Sequence, residues 1–481
     1  MRLAPILFLS CAAFADDPVP VLTASDVQTV LQSAAQSLNA GMSIAVTDRQ
    51  GNILGLFQTP GAPATSIGNF GAAVDTNELA IAVARTTGFF SNNQAPLTSR
   101  TVRSISASHF PAGIMFTGSG PLYGIENTNR GCSMNANFIP GQEVPPATLS
   151  DGVSPGLGII TGKADLLDKD QAAVNPGGIP LFKQGVVVGG VGVAGVPPNS
   201  AEFAALSGAA GAGLAPPAGV IFLGGIALPE VFQTTQPDGT SPGPGAGTFL
   251  IGPMDSPGPP PEGDLVAPVA GPLGGLTQDE VQAIVDGAVN AANQTRAAIR
   301  LPIGSRARMS IAVADLDGTL LALHRMPDGT FFSIDVAVAK ARNVIYFTQA
   351  GLPGVPAGTA VTNRTISFAA QPLYPSGIDF TQPGPFFSLF LSDTANPCTQ
   401  GAQPPNPNQN GIVFFPGSVP LYKNGVLVGG LGVSGDGVDQ DDYVTAQGAH
   451  GFEAPSNITA DHIILRGVRL PYLKFPRNPT N

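Results

Sequence analysis

Charge is scarce in this sequence. Lys, Arg, Asp and Glu make up 11% of the 481 residues, against 43% hydrophobic residues. A disordered acidic chain needs the opposite balance, so that class is excluded. The 22 Lys and Arg residues, in a chain of net charge −11, nowhere gather densely enough to follow a phosphate backbone, which argues against nucleic acid as a partner. Beyond the first fifteen residues, Gly, Pro or a charge interrupts every apolar run before it reaches the roughly 18 residues needed to cross a bilayer. No transmembrane segment is expected, and the mature chain reads as soluble. The four histidines include no pair at metal-motif spacing. No Ser-His-Asp set, no Cys-His pair and no two carboxylates with assignable roles are legible. No catalytic residue and no metal site are assigned, and enzymatic activity is left open.

What is present begins with the N-terminus, MRLAPILFLSCAAFADD: one Arg, an apolar stretch, and the small-x-small triplet Ala13-Phe14-Ala15 before two acids. This is the pattern of a signal peptide, residues 1–15, with an extracytoplasmic destination, periplasmic or secreted. Lipoprotein anchoring at Cys11 is the weaker alternative, because Phe8 and Leu9 fit a lipobox poorly. Gly (61) and Pro (47) are abundant but stop short of low-complexity composition. A folded chain with many turns is expected.

The strongest signal is a repeat. PLFKQGVVVGGVGVAG (residues 180–195) returns as PLYKNGVLVGGLGVSG (residues 420–435). MSIAVTDRQGNILGLFQTPG at Met42 matches MSIAVADLDGTLLALHRMPD at Met309, LTSRT at Leu97 matches VTNRT at Val361, and LTASDV at Leu22 matches LTQDEV at Leu276. Four blocks in the same order mark a duplicated domain. Domain 1 is placed at residues 20–232 and domain 2 at residues 276–481. Between them, residues 233–275 carry DGTSPGPGAG and DSPGPPPEG, a Pro/Gly-rich segment expected to hold no regular ladder and to act as a linker.

Local patterns agree between the copies. Apolar spacings after Thr23 and Thr277 predict an opening helix in each, with Thr277 and Glu280 as a capping box that Thr23 and Asp26 imitate. Hairpins are expected at Gln50-Gly51 and Asp317-Gly318, and again at Gln184-Gly185 and Asn424-Gly425. SIDVAVAKARNVIYF predicts a helix that leaves Lys340 and Arg342 towards solvent. Each copy closes on a short helix. Helix, hairpin, helix, hairpin, helix gives an α+β domain on an antiparallel sheet flanked by helices. The paired glycines of VVVGGVGVAG and VLVGGLGVSG lie inside strands and lack the Gly-Lys-Ser/Thr ending of a phosphate loop, so they mark close backbone approach or a bulge. Asp48 and Asp315, just before their turns, are expected to bond turn backbone.

With SIAVADLDGTLLALHRMPDG, SIDVAVAKAR and VPLYKNGVLVGGLGVSGDGVDQDDYVTAQGA, the second copy resembles the GlcG/HbpS-like family of haem-binding or haem-degrading domains, and the first copy resembles it more weakly. The resemblance implies an antiparallel sheet flanked by helices, symmetric oligomers, haem or iron handling and, for some members, an extracytoplasmic setting. Residues 102–175 and 366–415 depart from the family as long insertions rich in aromatics, Gly and Pro, expected to cover sheet edges or to build a pocket.

A function shared by both copies should keep its residues in both. Histidine fails this test: His109 answers to Leu373, His324 to Phe57 and His450 to Ala210, while His462 has no counterpart. His109 and His324 stay candidates only for a ligand held by one copy. The duplicated polar residues are Arg100/Arg364, Thr101/Thr365, Thr98/Thr362 and Lys183/Lys423. Such a guanidinium suits a propionate or other carboxylate, or it fixes its own loop. Cys132 and Cys398 stand at near-equivalent places, so a disulfide between copies packed about a pseudo-twofold axis and two separate thiols are both open. The resulting expectation is a secreted pseudo-dimer that binds haem or a related tetrapyrrole or iron ligand. An enzyme acting on a small carboxylate and a ligand-free assembly module, each compatible with a homo-oligomer, are the alternatives.

Overall fold

A capping box of Thr23 and Asp26 starts the first helix, α1 (Ala24–Ser37), whose Val27, Val30, Leu31, Ala34 and Ala35 are buried as their spacing predicts. The computed structural model describes residues 19–68, 71–136, 157–160 and 176–481. The predicted signal peptide lies outside the described residues. After α1 come β1 (Ser43–Asp48) and β2 (Ile53–Gln58), the small pair β3 (Thr65–Ile67) and β4 (Ala73–Asp75), α2 (Thr76–Phe90) and α3 (Ser99–Ser106). β5 (Gly178–Lys183), β6 (Val186–Ala194), α4 (Pro198–Gly211) and the two-residue strands β7 (Phe222–Leu223) and β8 (Ile226–Ala227) complete the first copy. Gln184 and Gly185 turn at φ 55° and 81°, the paired positive φ of a type I′ hairpin.

β9 (Thr248–Ile251) and β10 (Gly263–Val266) follow, and then the second copy repeats the plan. It runs α5 (Gln278–Gln294), β11 (Ser310–Ala314), β12 (Leu320–Arg325), α6 (Phe332–Ala350), α7 (Asn363–Ala369), α8 (Phe387–Ala395), β13 (Ser418–Lys423), β14 (Val426–Ser434), α9 (Val438–Gly448), β15 (Ile464–Leu465) and β16 (Val468–Arg469). The sheets read β5-β6-β1-β2-β9 and β13-β14-β11-β12-β10, all antiparallel. The chain is thus an α+β protein of two tandem domains with one topology, arranged as a pseudo-dimer. The expectation that residues 233–275 hold no ladder is corrected: the four residues of β9 and of β10, set between Gly/Pro stretches, each complete the free edge of one sheet and shield it from further pairing.

In each domain two helices cover one face of the sheet, α1 with α4 and α5 with α9. The remaining long helix, α2 or α6, lies on the other face. The repeated glycines permit that second contact. A Cβ on Gly192 would sit 2.2 Å from the Ala80 carbonyl oxygen, and one on Gly432 would sit 2.1 Å from that of Ala337. Both hairpins also carry a bulge at the same place, Leu181/Phe182 and Leu421/Tyr422. Gly432→Ala is therefore expected to destabilise the chain by about 1–3 kcal/mol, the usual cost of overpacking. Urea unfolding that leaves the midpoint unchanged would contradict this close contact.

α2 and α6 meet end to end between the domains, where Phe90 stacks on Phe332 with ring centroids 4.1 Å apart and Phe89 meets Phe331 at 5.3 Å. This explains a second correction. Lys340 and Arg342 are buried, not solvent-facing, because α6 has a sheet on one side and the other domain on the other. The described parts of the long insertions join the two copies. Asn127 donates to Asp393 at 2.8 Å, the Asn129 amide donates to Asp335 at 2.6 Å, and the Phe414 amide donates to the Gly124 carbonyl at 3.0 Å. Cys132 and Cys398 form a disulfide between the domains, with Cα atoms 5.3 Å apart.

Candidate functional site

The duplicated polar residues serve each domain's own fold. Arg100 makes a two-pronged contact with Glu202, Nε to Oε1 at 2.6 Å and Nη2 to Oε2 at 3.0 Å, and lies over the Phe232 ring. Its counterpart Arg364 bonds Asp442 and reaches Asp439 at 2.7 Å. Burial would weaken the Arg364 charge, but these two acids more than offset it and its pKa is raised. Thr98 and Thr362 donate to the Glu230 and Tyr472 carbonyls, Thr101 and Thr365 to those of Pro229 and Pro471. All four pin the segment that follows the β7–β8 or β15–β16 hairpin. Lys183 grips Asp26 at 2.7 Å and Lys423 grips Glu280 at 2.6 Å, so each ties a late strand to the capping acid of the opening helix. These Arg, Thr and Lys residues, the candidate ligand clamps of the sequence, thus each hold a partner inside their own domain.

The histidines are not brought together. His109 bonds Asp379 at 2.9 Å, where the two insertions touch, and His324 bonds Asp264 at 2.7 Å across the β12–β10 edge. Neither lines the large cavity described next. Asp48 accepts from the Gln50 and Asn52 amides as expected of a turn aspartate. Asp315 accepts from its neighbour Leu316, but also reaches out to the amides of Leu273 and Gly274.

A cavity of about 860 Å³ opens between the domains. Its apolar wall includes Phe90, Leu97 and Ile105 from the first domain and Phe332, Ile299 and Leu301 from the second. Phe90, Leu97 and Ile105 belong to α2 and to the segment ending in α3, whereas Ile299 and Leu301 ride on the loop between α5 and β11. Arg296 stands on the same loop, and its Nε is buried with no hydrogen-bond partner. Arg477 and Lys474 add exposed cationic groups from the C-terminal segment.

Two buried aspartates belong to the cavity wall, Asp436 just before α9 and Asp441 in its first turn. Asp436 receives Arg300 Nε at 2.5 Å and the Arg308 amide at 2.7 Å, both through Oδ2. Asp441 receives Lys340 Nζ at 2.9 Å, also through Oδ2, and Lys340 is held further by the Val433 carbonyl and the Phe415 ring. The Oδ1 of each aspartate is buried and has no partner. Burial pushes the Asp441 carboxyl up to about 7 against the pull of Lys340, and raises Asp436 against the pull of Arg300. Burial likewise lowers Lys340, with Asp441 opposing it.

None of this polar set exists in the first copy. Ala194 and Ser434 occupy the same register position opposite Ser43 and Ser310, so Val196 answers to Asp436 and Ala201 to Asp441. Arg85 and Arg342 each donate through Nε at 2.9 Å to the turn glycine of their own hairpin, Gly51 and Gly318, which makes Val83 the counterpart of Lys340. Asking for residues shared by both copies therefore selected groups bonded within each domain and passed over this asymmetric set. Two signals in the sequence pointed to it: the four arginines at 296, 300, 306 and 308, absent from the short α1–β1 connection, and GDGVDQDD against GVPPNSAE.

Among the described residues, no group of three or more His, Cys, Asp or Glu could hold a metal ion, and no helix is long and apolar enough to cross a membrane. Residues 276–450, within the second copy, match the family described as "Haem degrading protein HbpS-like", in agreement with the resemblance read from its motifs. The corrinoid adenosyltransferase PduO of Salmonella typhimurium is 27% identical over 147 residues, which span 31% of this chain and 33% of that protein. The match thus covers about a third of that relative's length. Among solved structures, a PduOC–haem complex is similar over 37% of this chain and 95% of its own at 20% identity and a TM-score of 0.25. The ORFY protein of Klebsiella pneumoniae matches over 37% and 90% at 19% identity and a TM-score of 0.25. A doubly substituted HbpS of Streptomyces reticuli matches over 36% and 85% at 21% identity and a TM-score of 0.22.

Proposed function

We propose that this chain, whose residues 276–450 match the HbpS-like family, holds one haem or related tetrapyrrole in the cavity between its two domains. The carrying observation is Arg296, whose Nε is sealed without a partner at the wall of a large apolar cavity. A buried guanidinium nitrogen left unpaired costs roughly 1–3 kcal/mol or more, and a ligand carboxylate would relieve that cost. The volume of about 860 Å³ falls within the range of small-molecule sites, about 300–1,000 Å³. The fit is one of shape and charge: phenyl and aliphatic walls suit the macrocycle, and Arg296 with Arg477 suits its propionates. No His, Cys, Met or Tyr lines the cavity among the described residues, so the residues present fit the macrocycle and its acids but not a strong axial bond to iron. Export is part of the reading. It rests on the signal-peptide pattern of residues 1–15, and a disulfide between the domains is in keeping with an oxidising compartment.

Haemin titrated into the purified protein is expected to give a saturable Soret change at one ligand per chain. Arg296→Ala and Arg477→Ala are each expected to weaken binding about tenfold, the loss of one charge-assisted contact worth about 1.4 kcal/mol. Arg364→Ala should instead lower stability, because it strips buried Asp442 of its countercharge. Absence of any saturable change with haemin or any other tetrapyrrole at micromolar concentration, or two equal sites per chain, would overturn the assignment.

A further inference from the structure

Asp436 and Asp441 are each about 1% exposed, line the same cavity, and keep one carboxylate oxygen without a hydrogen-bond partner. Their other oxygens are committed to Arg300 and Lys340, which hold both side chains in place. A buried acceptor left empty is costly, and two of them in one apolar cavity ask for a ligand with hydrogen-bond donors. Haem has none at its centre, since all four pyrrole nitrogens bind iron. A metal-free cyclic porphyrin has two N–H groups, but they lie within the ring plane and out of reach of a side chain. An open-chain tetrapyrrole exposes pyrrole and lactam N–H groups along its inner edge and still carries two propionates.

From this geometry we infer that the cavity is built for an open-chain tetrapyrrole in preference to haem, with Asp436 and Asp441 accepting its N–H groups and Arg296 and Arg477 receiving its carboxylates. The inference rests on the cavity being a tetrapyrrole site, as proposed above, and names the class of tetrapyrrole. The first copy supplies the control for it. There the counterparts of Lys340 and Asp441 are Val83 and Ala201, both fully buried, so the same fold accommodates an apolar pair at these positions. Replacing a buried ion pair whole, rather than breaking it, is often neutral for stability.

The test compares biliverdin, haemin and protoporphyrin IX on the purified full chain and on the double variant Lys340→Val/Asp441→Ala, with circular dichroism reporting that the variant is folded. Biliverdin should bind the unmodified protein at least about tenfold more tightly than haemin or protoporphyrin, and the double variant should lose about tenfold on biliverdin while haemin changes less than about twofold. Haemin binding as tightly as biliverdin, or a variant that leaves biliverdin untouched, overturns this inference and leaves the cavity assignment standing. If none of the three ligands binds the unmodified protein, the cavity assignment itself falls. Should the double variant fail to fold, the ranking of the three ligands on the unmodified protein decides alone.

Discussion

Reduction of the Cys132–Cys398 disulfide should lower the stability of the folded chain by about 5 kcal/mol. The bond closes a loop of 266 residues, and the entropy it removes from the unfolded ensemble grows with the logarithm of loop length, to about 5 kcal/mol for loops longer than about 100 residues. The effect is concentrated where the domains join, since the two sulfurs sit on insertions that otherwise meet through hydrogen bonds such as Asn127 to Asp393. Guanidinium unfolding with and without dithiothreitol, beside a Cys132→Ser/Cys398→Ser variant, measures it. Equal midpoints in all three samples would show that the link carries no stability. Thiol titration of the unreduced, denatured protein should find neither of these two sulfurs free.

Arg300→Met should cost about 3–5 kcal/mol, the price of stripping a buried ion pair of one partner. Arg300 serves two acids at once, Asp436 through Nε and Asp328 through Nη1 at 2.6 Å. Asp328 in turn accepts from Arg49 at 2.9 Å and from the Asn93 amide of the first domain. The substitution would leave Asp436 buried without its countercharge and weaken the clamp between domains. The pH dependence has a definite sign. Burial already raises Asp436 above its ordinary value, and loss of Arg300 raises it further. A carboxyl with a folded pKa above its unfolded one favours folding when protonated, so stability rises as pH falls from the folded towards the unfolded value. The deficit of Arg300→Met relative to the unmodified protein should therefore be smaller at about pH 5 than at about pH 8. Calorimetry at both pH values tests this, and an equal deficit at both would remove Asp436 as its source.

Local elements were legible in the sequence because short-range chemistry dictates them. The capping acids Asp26 and Glu280, the turn at Gln184-Gly185 and the buried face of α1 depend on neighbours only a few residues away. The orientation of α6 was not legible, because whether Lys340 meets water or Asp441 depends on a strand and a helix about a hundred residues downstream. β9 and β10 escaped for the same reason. Four residues between prolines carry no decisive pattern until an unpaired sheet edge is there to receive them.

The sequence by itself determined that one unit is written twice, that each is an α+β domain, and that the second resembles haem-handling proteins, since repeats and hydrophobic periods survive in a linear text. Only the tertiary structure decided which polar residues are satisfied within the fold and which keep an unpaired atom at a cavity wall. Glu202 and Asp442 close on Arg100 and Arg364, whereas Arg296, Asp436 and Asp441 become notable only when a cavity between two domains leaves one atom of each without a partner. Hydrogen-bond satisfaction is a property of three-dimensional neighbours, so no reading along the chain reports it.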